Sequence, residues 1–388
     1  MPPQNSSISS SDSSLPPADG SSAAGAFSWR NLLATTAFFL LFLALFELLT
    51  WGVFTKTRLA NGSLRQYMWY GASYESKLRE LANTPNLPKN SVLYAGWLGD
   101  GKLRSLPNDV DVTIYGMSFS ANLGDAIREL RPQFTQRVVA GPGAPLSHTY
   151  AIYQVDKALR KTRFAVIGVT SGAVQEVLLM NRGSLFSDAP FPYFFPRYRM
   201  DGDRLVLGAN SLINSADELR EAFNDPALWE RQLAVLSAND SAYRRFFFAR
   251  DFLDHSVLGR FLRRAMSKRH SADYSGKILG PDGFNRESEA PKLFRGLLRQ
   301  MVRELRAENV KPIVVLFSLQ GQGNYLYDLV ADILRDEAVP YVNSFDFCRS
   351  DDRDKYAPDM HFVHDCNIEF GQQTLQIMDA TAKPDGTN

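Results

Sequence analysis

Cysteine and histidine are scarce in this 388-residue chain: it holds two cysteines, Cys348 and Cys366, and five histidines. There is no CxxC, and no Cys/His spacing reads as a zinc site, so the sequence implies no metal centre. An excess of one charge is missing too. Lys plus Arg number 43 and Asp plus Glu 42, for a net charge of +1. Composition therefore gives no reason to propose a nucleic-acid partner. What remains is ordinary globular material, 45% hydrophobic and 22% charged. The length suits one large domain with additions.

Residues 1–26 are dominated by Ser, Pro, Gly and Ala. Such a stretch buries too little apolar surface to offset its ordering entropy, so residues 1–29 read as a disordered tail. A transmembrane helix is expected over 30–54. Its apolar part, Leu32 to Phe54, carries one charge, Glu47, and is long enough to cross a hydrocarbon core of roughly 30 Å. Trp29, Trp51 and Phe54 stand where interfacial aromatics belong. A cleaved signal peptide fits less well, because the run is too long and no small-x-small site follows before Lys56. Glu47 either lies near one interface or marks contact with another membrane helix, hence a membrane-protein partner. Arg30 precedes the run, while Lys56, Arg58 and Arg65 follow it. The positive-inside rule thus favours an outside tail, in conflict with the outward-facing domain that a disulfide and a glycan substrate would require.

Residues 55–108 read as a connector, with a helix around Leu64–Ala82 and a strand near Val92–Tyr94. From Val110 strands and helices alternate. Strands are expected at Val110–Tyr115, Arg137–Ala140, Phe164–Val169, Pro312–Ser318 and Val339–Val342. Helices are expected at Asn122–Leu130, Tyr150–Leu159, Lys292–Glu308, Tyr325–Glu337 and Phe370–Ala382. This alternation predicts an α/β fold with a mostly parallel sheet covered on both faces. Runs such as FAVIGV and PIVVLF fit strands buried on both sides. Residues 181–285 break the rhythm and read as an insertion. Its aromatic and arginine-rich runs, FPYFFPRYR and YRRFFFARDF, suit either a cap packed on the core or a lid or surface facing glycan or membrane.

Three places carry candidate chemistry. In Gly116-Met117-Ser118-Phe119-Ser120 a serine stands between a strand and a helix, where the helix N-terminus favours negative charge. In Asp359-Met360-His361-Phe362 a carboxylate two residues from an imidazole can hold one ring nitrogen and leave the other for a nucleophile. His364 follows closely as an alternative base, and Asp354 is an alternative acid. In Gly141-Pro142-Gly143 a glycine can offer an N–H to an oxyanion.

The order of these blocks resembles the SGNH, or GDSL-type, hydrolase family over residues 110–180 and 290–380. The resemblance implies a flavodoxin-like three-layer sandwich spanning 109–388, with 181–285 inserted. It implies Ser118 as nucleophile, His361 as base and Asp359 as acid, and no cofactor. The oxyanion donors would be Ser118 and Gly143, or less readily Gly141. The family's third block normally supplies an oxyanion Asn. Here Thr170-Ser171-Gly172-Ala173 follows the strand, so Ser171 stands in as the donor. Cys348 and Cys366 flank the Asp359–His361 segment. They are either two thiols or a disulfide closing about 19 residues, worth up to roughly 3 kcal/mol. A disulfide would place the domain in an oxidising compartment.

Two functions are therefore expected. One is a membrane-anchored serine esterase or O-acyltransferase acting on acylated envelope or exported glycans, or on a small ester. It would be a single-pass protein of the inner membrane with its soluble domain periplasmic or extracellular. The other is a non-catalytic envelope polysaccharide assembly protein on the same scaffold, a reading that the missing Asn supports.

Overall fold

The computed structural model describes residues 28–56, 62–84 and 102–382. Residues 1–27 of the tail expected at 1–29, and the strand expected at Val92–Tyr94, lie outside these residues; Trp29, assigned to the tail, instead opens the first helix.

The apolar runs form a five-stranded parallel sheet. Its strands are β1 (Asp109–Met117), β2 (Gln136–Gly141), β3 (Lys161–Thr170), β4 (Lys311–Phe317) and β5 (Tyr341–Asn343). The order is β2-β1-β3-β4-β5, and every pairing is parallel. Phe164 to Thr170 and Pro312 to Phe317 are buried throughout, as strands covered on both faces must be.

Helices cover the two faces. On one lie α4 (Ser118–Leu130) and α11 (His364–Ala382). Phe119, Leu123 and Ile127 of α4 pack there with Phe370, Leu375 and Met378 of α11. On the other lie α5 (Leu146–Asp156), α9 (Glu289–Ala307) and α10 (Tyr325–Asp336). Ile152, Leu297, Met301 and Val330 belong to that core. The α/β sandwich expected from the alternation is thus present. Because β1 lies between β2 and β3, successive connections leave β1 and β3 in opposite directions. Folds of this order bind ligands in the crevice this opens at the strands' carboxyl ends.

Four helix starts precede the pattern: α5 begins at Leu146 rather than Tyr150, α9 at Glu289 rather than Lys292, and two more lie at the crevice. α4 begins at Ser118 rather than Asn122, and α11 at His364 rather than Phe370. Periodicity marks where an apolar stripe begins, not where the backbone turns helical. The first turn of α11, His364-Asp365-Cys366-Asn367, is rich in weak helix formers. It is held by the Cys348–Cys366 disulfide and by burial of Cys366.

Near the N-terminus, α1 (Trp29–Lys56) is one unbroken helix, and its Trp29–Val53 portion is long and apolar enough to cross a membrane. The single helix expected at Leu64–Ala82 is two, α2 (Gly62–Tyr70) and α3 (Tyr74–Ala82). Gly71 lies so close to the Arg260 carbonyl that a Cβ there would be 2.2 Å from its oxygen. Ser73 then caps α3, accepting from the Ser76 N–H.

Residues 181–285 hold a hairpin (Arg197–Asp201 with Arg204–Ala209), α6 (Ala216–Asn224), α7 (Pro226–Asn239) and α8 (Val257–Ile278). Leu219, Trp229, Leu233 and Phe248 form a small core with Tyr74 and Leu78 of α3. Most of the aromatic runs turn inward: Phe194, Phe195, Phe247 and Phe248 are buried. Asp240 ties the insertion to the segment that enters it after β3. It accepts from the N–H groups of Met180, Asn181, Ala242 and Tyr243, and from the Ser184 hydroxyl.

Candidate active site

β1 ends by delivering Ser118 to the crevice. Gly116, with φ of +148°, turns the chain so tightly that a Cβ there would lie 2.1 Å from Ser120 Oγ. Gly168 on β3 leaves room for the same hydroxyl. Ser120 is therefore buried as packing, while Ser118 occupies the first position of α4. No side chain caps α4 and no acidic residue sits in its first turn. Its positive end faces the Ser118 hydroxyl, a setting that favours an alkoxide or oxyanion.

The register places the partners. Met117 pairs with Gly141, so Gly143 stands two residues beyond, beside Ser118. Gly143 has φ of +60°, and a Cβ there would meet the Arg182 guanidinium at 2.4 Å. Both the left-handed backbone and the close contact call for glycine. Tyr115 pairs with Ile167, and continuing that register brings Thr170 level with Ser118.

His361, the expected base, arrives from the other side, on the segment before α11. His361 Nε2 lies 2.7 Å from Ser118 Oγ. His361 Nδ1 lies 3.0 Å from Asp359 Oδ2, and the His361 N–H donates to Asp359 Oδ1 at 3.2 Å. An ionised carboxylate can only accept, so Nδ1 carries the proton and the Nε2 lone pair accepts from the Ser118 hydroxyl. The turn behind this is local. Met360 has φ of +70°, the Met360 N–H donates to the Ala357 carbonyl, and the Ala357 N–H donates to the His361 carbonyl. The imidazole also lies against the Phe119 ring, 4.7 Å between centroids. Hydrogen bonds from His361, the backbone N–H first, hold the Asp359 carboxyl below the usual range. The Asp359 side chain is 69% exposed, so its charge acts through a partly aqueous path.

His364 is elsewhere. It opens α11, faces Glu129 at 3.4 Å and is largely exposed. Asp354 lies in a short turn, its N–H bonded to Asp352, and lines no part of the cavity. Ser171 does not reach the crevice. It is fully buried, its N–H donates to the Phe317 carbonyl, and its hydroxyl accepts from the Leu319 N–H. The turn after β3 instead presents Thr170 and Gly172.

Around Ser118 and His361 lies a cavity of about 540 Å³, within the range of small-molecule sites. Its other walls were not evident from motifs. Gln175, Glu176, Arg182 and Gln322 supply polar groups, while Phe186, Leu319 and Met360 supply apolar surface. Arg182 lies between the rings of Phe186 and Phe191, at 5.2 and 4.9 Å, and reaches Glu176 at 3.5 Å. Arg182 Nε and Glu176 Oε2 meet no hydrogen-bond partner among the described residues. Burial pushes the Glu176 carboxyl up, with Arg182 opposing. The only sequence signal for Arg182 is its place at the start of the insertion, just after Asn181.

No family model matches this chain, and no curated protein matches it. Solved structures offer a faint likeness. One is a candidate acylhydrolase of Bacteroides fragilis, 9% identical, covering 73% of this chain and 94% of its own length, with a TM-score of 0.38. Another is a GDSL-like lipase of Bacteroides thetaiotaomicron, 8% identical, covering 78% and 99%, with a TM-score of 0.36. The chemical reading rests on the side-chain geometry of this chain.

Proposed function

We propose that this chain is a serine esterase or O-acyltransferase, anchored in a membrane by α1 and acting on acylated glycans of the cell envelope or on exported glycans. The observation that carries the reading is the connected path Ser118–His361–Asp359, with Ser118 at a helix N-terminus. The Ser118 hydroxyl attacks an ester carbonyl as its proton passes to His361 Nε2. Asp359 fixes the tautomer and stabilises the imidazolium. The N–H groups of Ser118 and Gly143 receive the oxyanion, beside the positive end of α4. His361 then returns the proton to the leaving alcohol. Water completes hydrolysis of the acyl-enzyme, whereas a sugar hydroxyl completes transfer.

The polar wall of Gln175, Glu176, Arg182 and Gln322 suits a hydroxyl-rich substrate. The Cys348–Cys366 disulfide favours an oxidising compartment, hence a domain outside the inner membrane. Labelling the full chain with a fluorophosphonate tests the reaction class. Wild type should react and turn over p-nitrophenyl acetate, while Ser118→Ala should do neither. Undiminished labelling of Ser118→Ala would refute the nucleophile. No turnover and no labelling of folded wild type would favour a non-catalytic assembly role.

A further inference from the structure

A carboxylate in an apolar helix needs partners, and Glu47 finds them within its own chain. The Val257 N–H donates to Glu47 Oε1. The Leu258 N–H and the Ser256 hydroxyl donate to Oε2 at 3.0 and 3.2 Å. The first turn of α8 is thereby fully satisfied. The Gly259 N–H goes to Ser256 Oγ at 2.8 Å, and the Arg260 N–H to the Ser256 carbonyl. An anion at a helix N-terminus is the arrangement that the helix dipole favours. Here the helix belongs to the insertion and the anion to α1.

The depth of this contact is informative. Glu47 lies six residues before Val53, where the apolar portion ends. That is about 9 Å at 1.5 Å per residue. The 25-residue portion exceeds a core of about 30 Å by several ångström. Glu47 therefore lies just inside the hydrocarbon boundary, at the end of α1 from which the rest of the chain continues. The N-terminus of α8 must come down to that level.

The surface of α8 beside it has the chemistry of such a place. Phe252, just before the helix, is 78% exposed, and Leu262 and Met266 are 54% and 45% exposed. Leu258, Leu262 and Met266 follow at intervals of four, on one face. Farther from Glu47, exposed Arg269 follows on that face, and exposed Lys268 off it pairs with Asp188 at 2.7 Å. An apolar stripe giving way to a basic residue suits a helix that leaves the acyl boundary and passes the headgroups.

We infer that the outward face of α8, with Phe252, Leu262 and Met266, rests in the headgroup–acyl boundary of the bilayer that α1 crosses, and that Glu47 clasps it there. This rests on the reading of α1 as a retained membrane span. The consequence reaches the candidate site, because Ser275 of the same helix lines its cavity. Eighteen residues separate Val257 from Ser275, about 27 Å of helix. One wall of the cavity is thus held at about that distance from the clasp, on the side from which acyl or glycan groups at the membrane surface would approach.

The test uses the full chain in vesicles of zwitterionic and anionic phospholipid. Both native cysteines are bonded to each other, so Leu262→Cys can be labelled alone with a nitroxide. Met266→Cys serves as a second site. Lys161→Cys, at the opposite end of the strands, is the water-exposed control. Collision of the nitroxide with oxygen is compared with collision with a water-soluble nickel chelate. A several-fold higher oxygen-to-nickel ratio at 262 or 266 than at 161 is expected. The ratio should fall to the control level in Glu47→Ala and fall only partway in Glu47→Gln, which keeps one accepting oxygen but no charge. Retention through alkaline extraction, with 262 and 266 as aqueous as 161, would overturn the docking and leave the span intact. Loss of the wild-type chain on extraction would instead overturn the span and the docking with it. An unchanged ratio in Glu47→Ala would refute the clasp.

Discussion

The Cys348–Cys366 disulfide closes the segment that carries Asp359 and His361, and its effect can be worked out. The sequence separation is 18, so the closed loop has 19 residues counting both ends. On the chain-entropy model such a closure removes about 11 cal/mol/K from the unfolded ensemble, or about 3 kcal/mol at 25 °C. Reduction should cost about that much, because the two thiols retain nearly the volume of the bridge. Cys348→Ala/Cys366→Ala should cost roughly 1–2 kcal/mol more, since both residues are buried and their sulfurs leave voids. Activity is expected to behave differently. Other contacts pin the segment: the Val363 N–H donates to the Lys355 carbonyl, and the Gly321 N–H to the Ser350 carbonyl. Tyr356 donates to the Ser318 carbonyl at 2.8 Å, and Phe362 is buried against Phe119 and Phe370. The folded, reduced protein should therefore keep ester turnover within a few-fold of the oxidised form. Denaturant unfolding under oxidising and reducing conditions, paired with p-nitrophenyl acetate turnover without denaturant, measures both. Collapse of turnover with stability unchanged would refute the reasoning, because the bridge would then position the site rather than restrain the unfolded chain.

His361→Ala should remove at least about a thousandfold of turnover, whereas His364→Ala should keep most of it; the reverse pattern in folded variants would move the base to His364. Asp359→Asn should cost about ten- to a hundredfold, less than the roughly ten-thousandfold seen where a triad acid is buried, because water screens an exposed carboxylate. A loss as large as that of His361→Ala would show that Asp359 does more than hold the ring.

Much of this was legible in the sequence, for identifiable reasons. The strands were, because residues buried on both faces of a parallel sheet must be apolar in a run, as Phe164 to Val169 are. The long apolar helix was legible from length, composition and flanks; the Ser118, Gly143 and Asp359–His361 blocks stood out by residue type, and their order resembled a hydrolase family. The pairing of His361 rather than His364 with Asp359 followed from spacing, since two residues permit a single local turn.

Other features waited for the tertiary structure. Ser171 had the right residue type in the right turn, but its N–H is taken by the Phe317 carbonyl and its hydroxyl is buried against the Leu319 N–H, away from the cavity. Arg182 enters the cavity because the insertion folds back over Gly143, a contact that no local pattern encodes. Glu47 read either as a charge near one interface or as a mark of contact with another membrane helix. Its partners prove to be a hydroxyl and two N–H groups 209 to 211 residues along the chain. Local chemistry fixes which groups can turn, attack or span. Only the packing of distant segments decides which hydrogen bonds are already taken and which face the substrate or the bilayer.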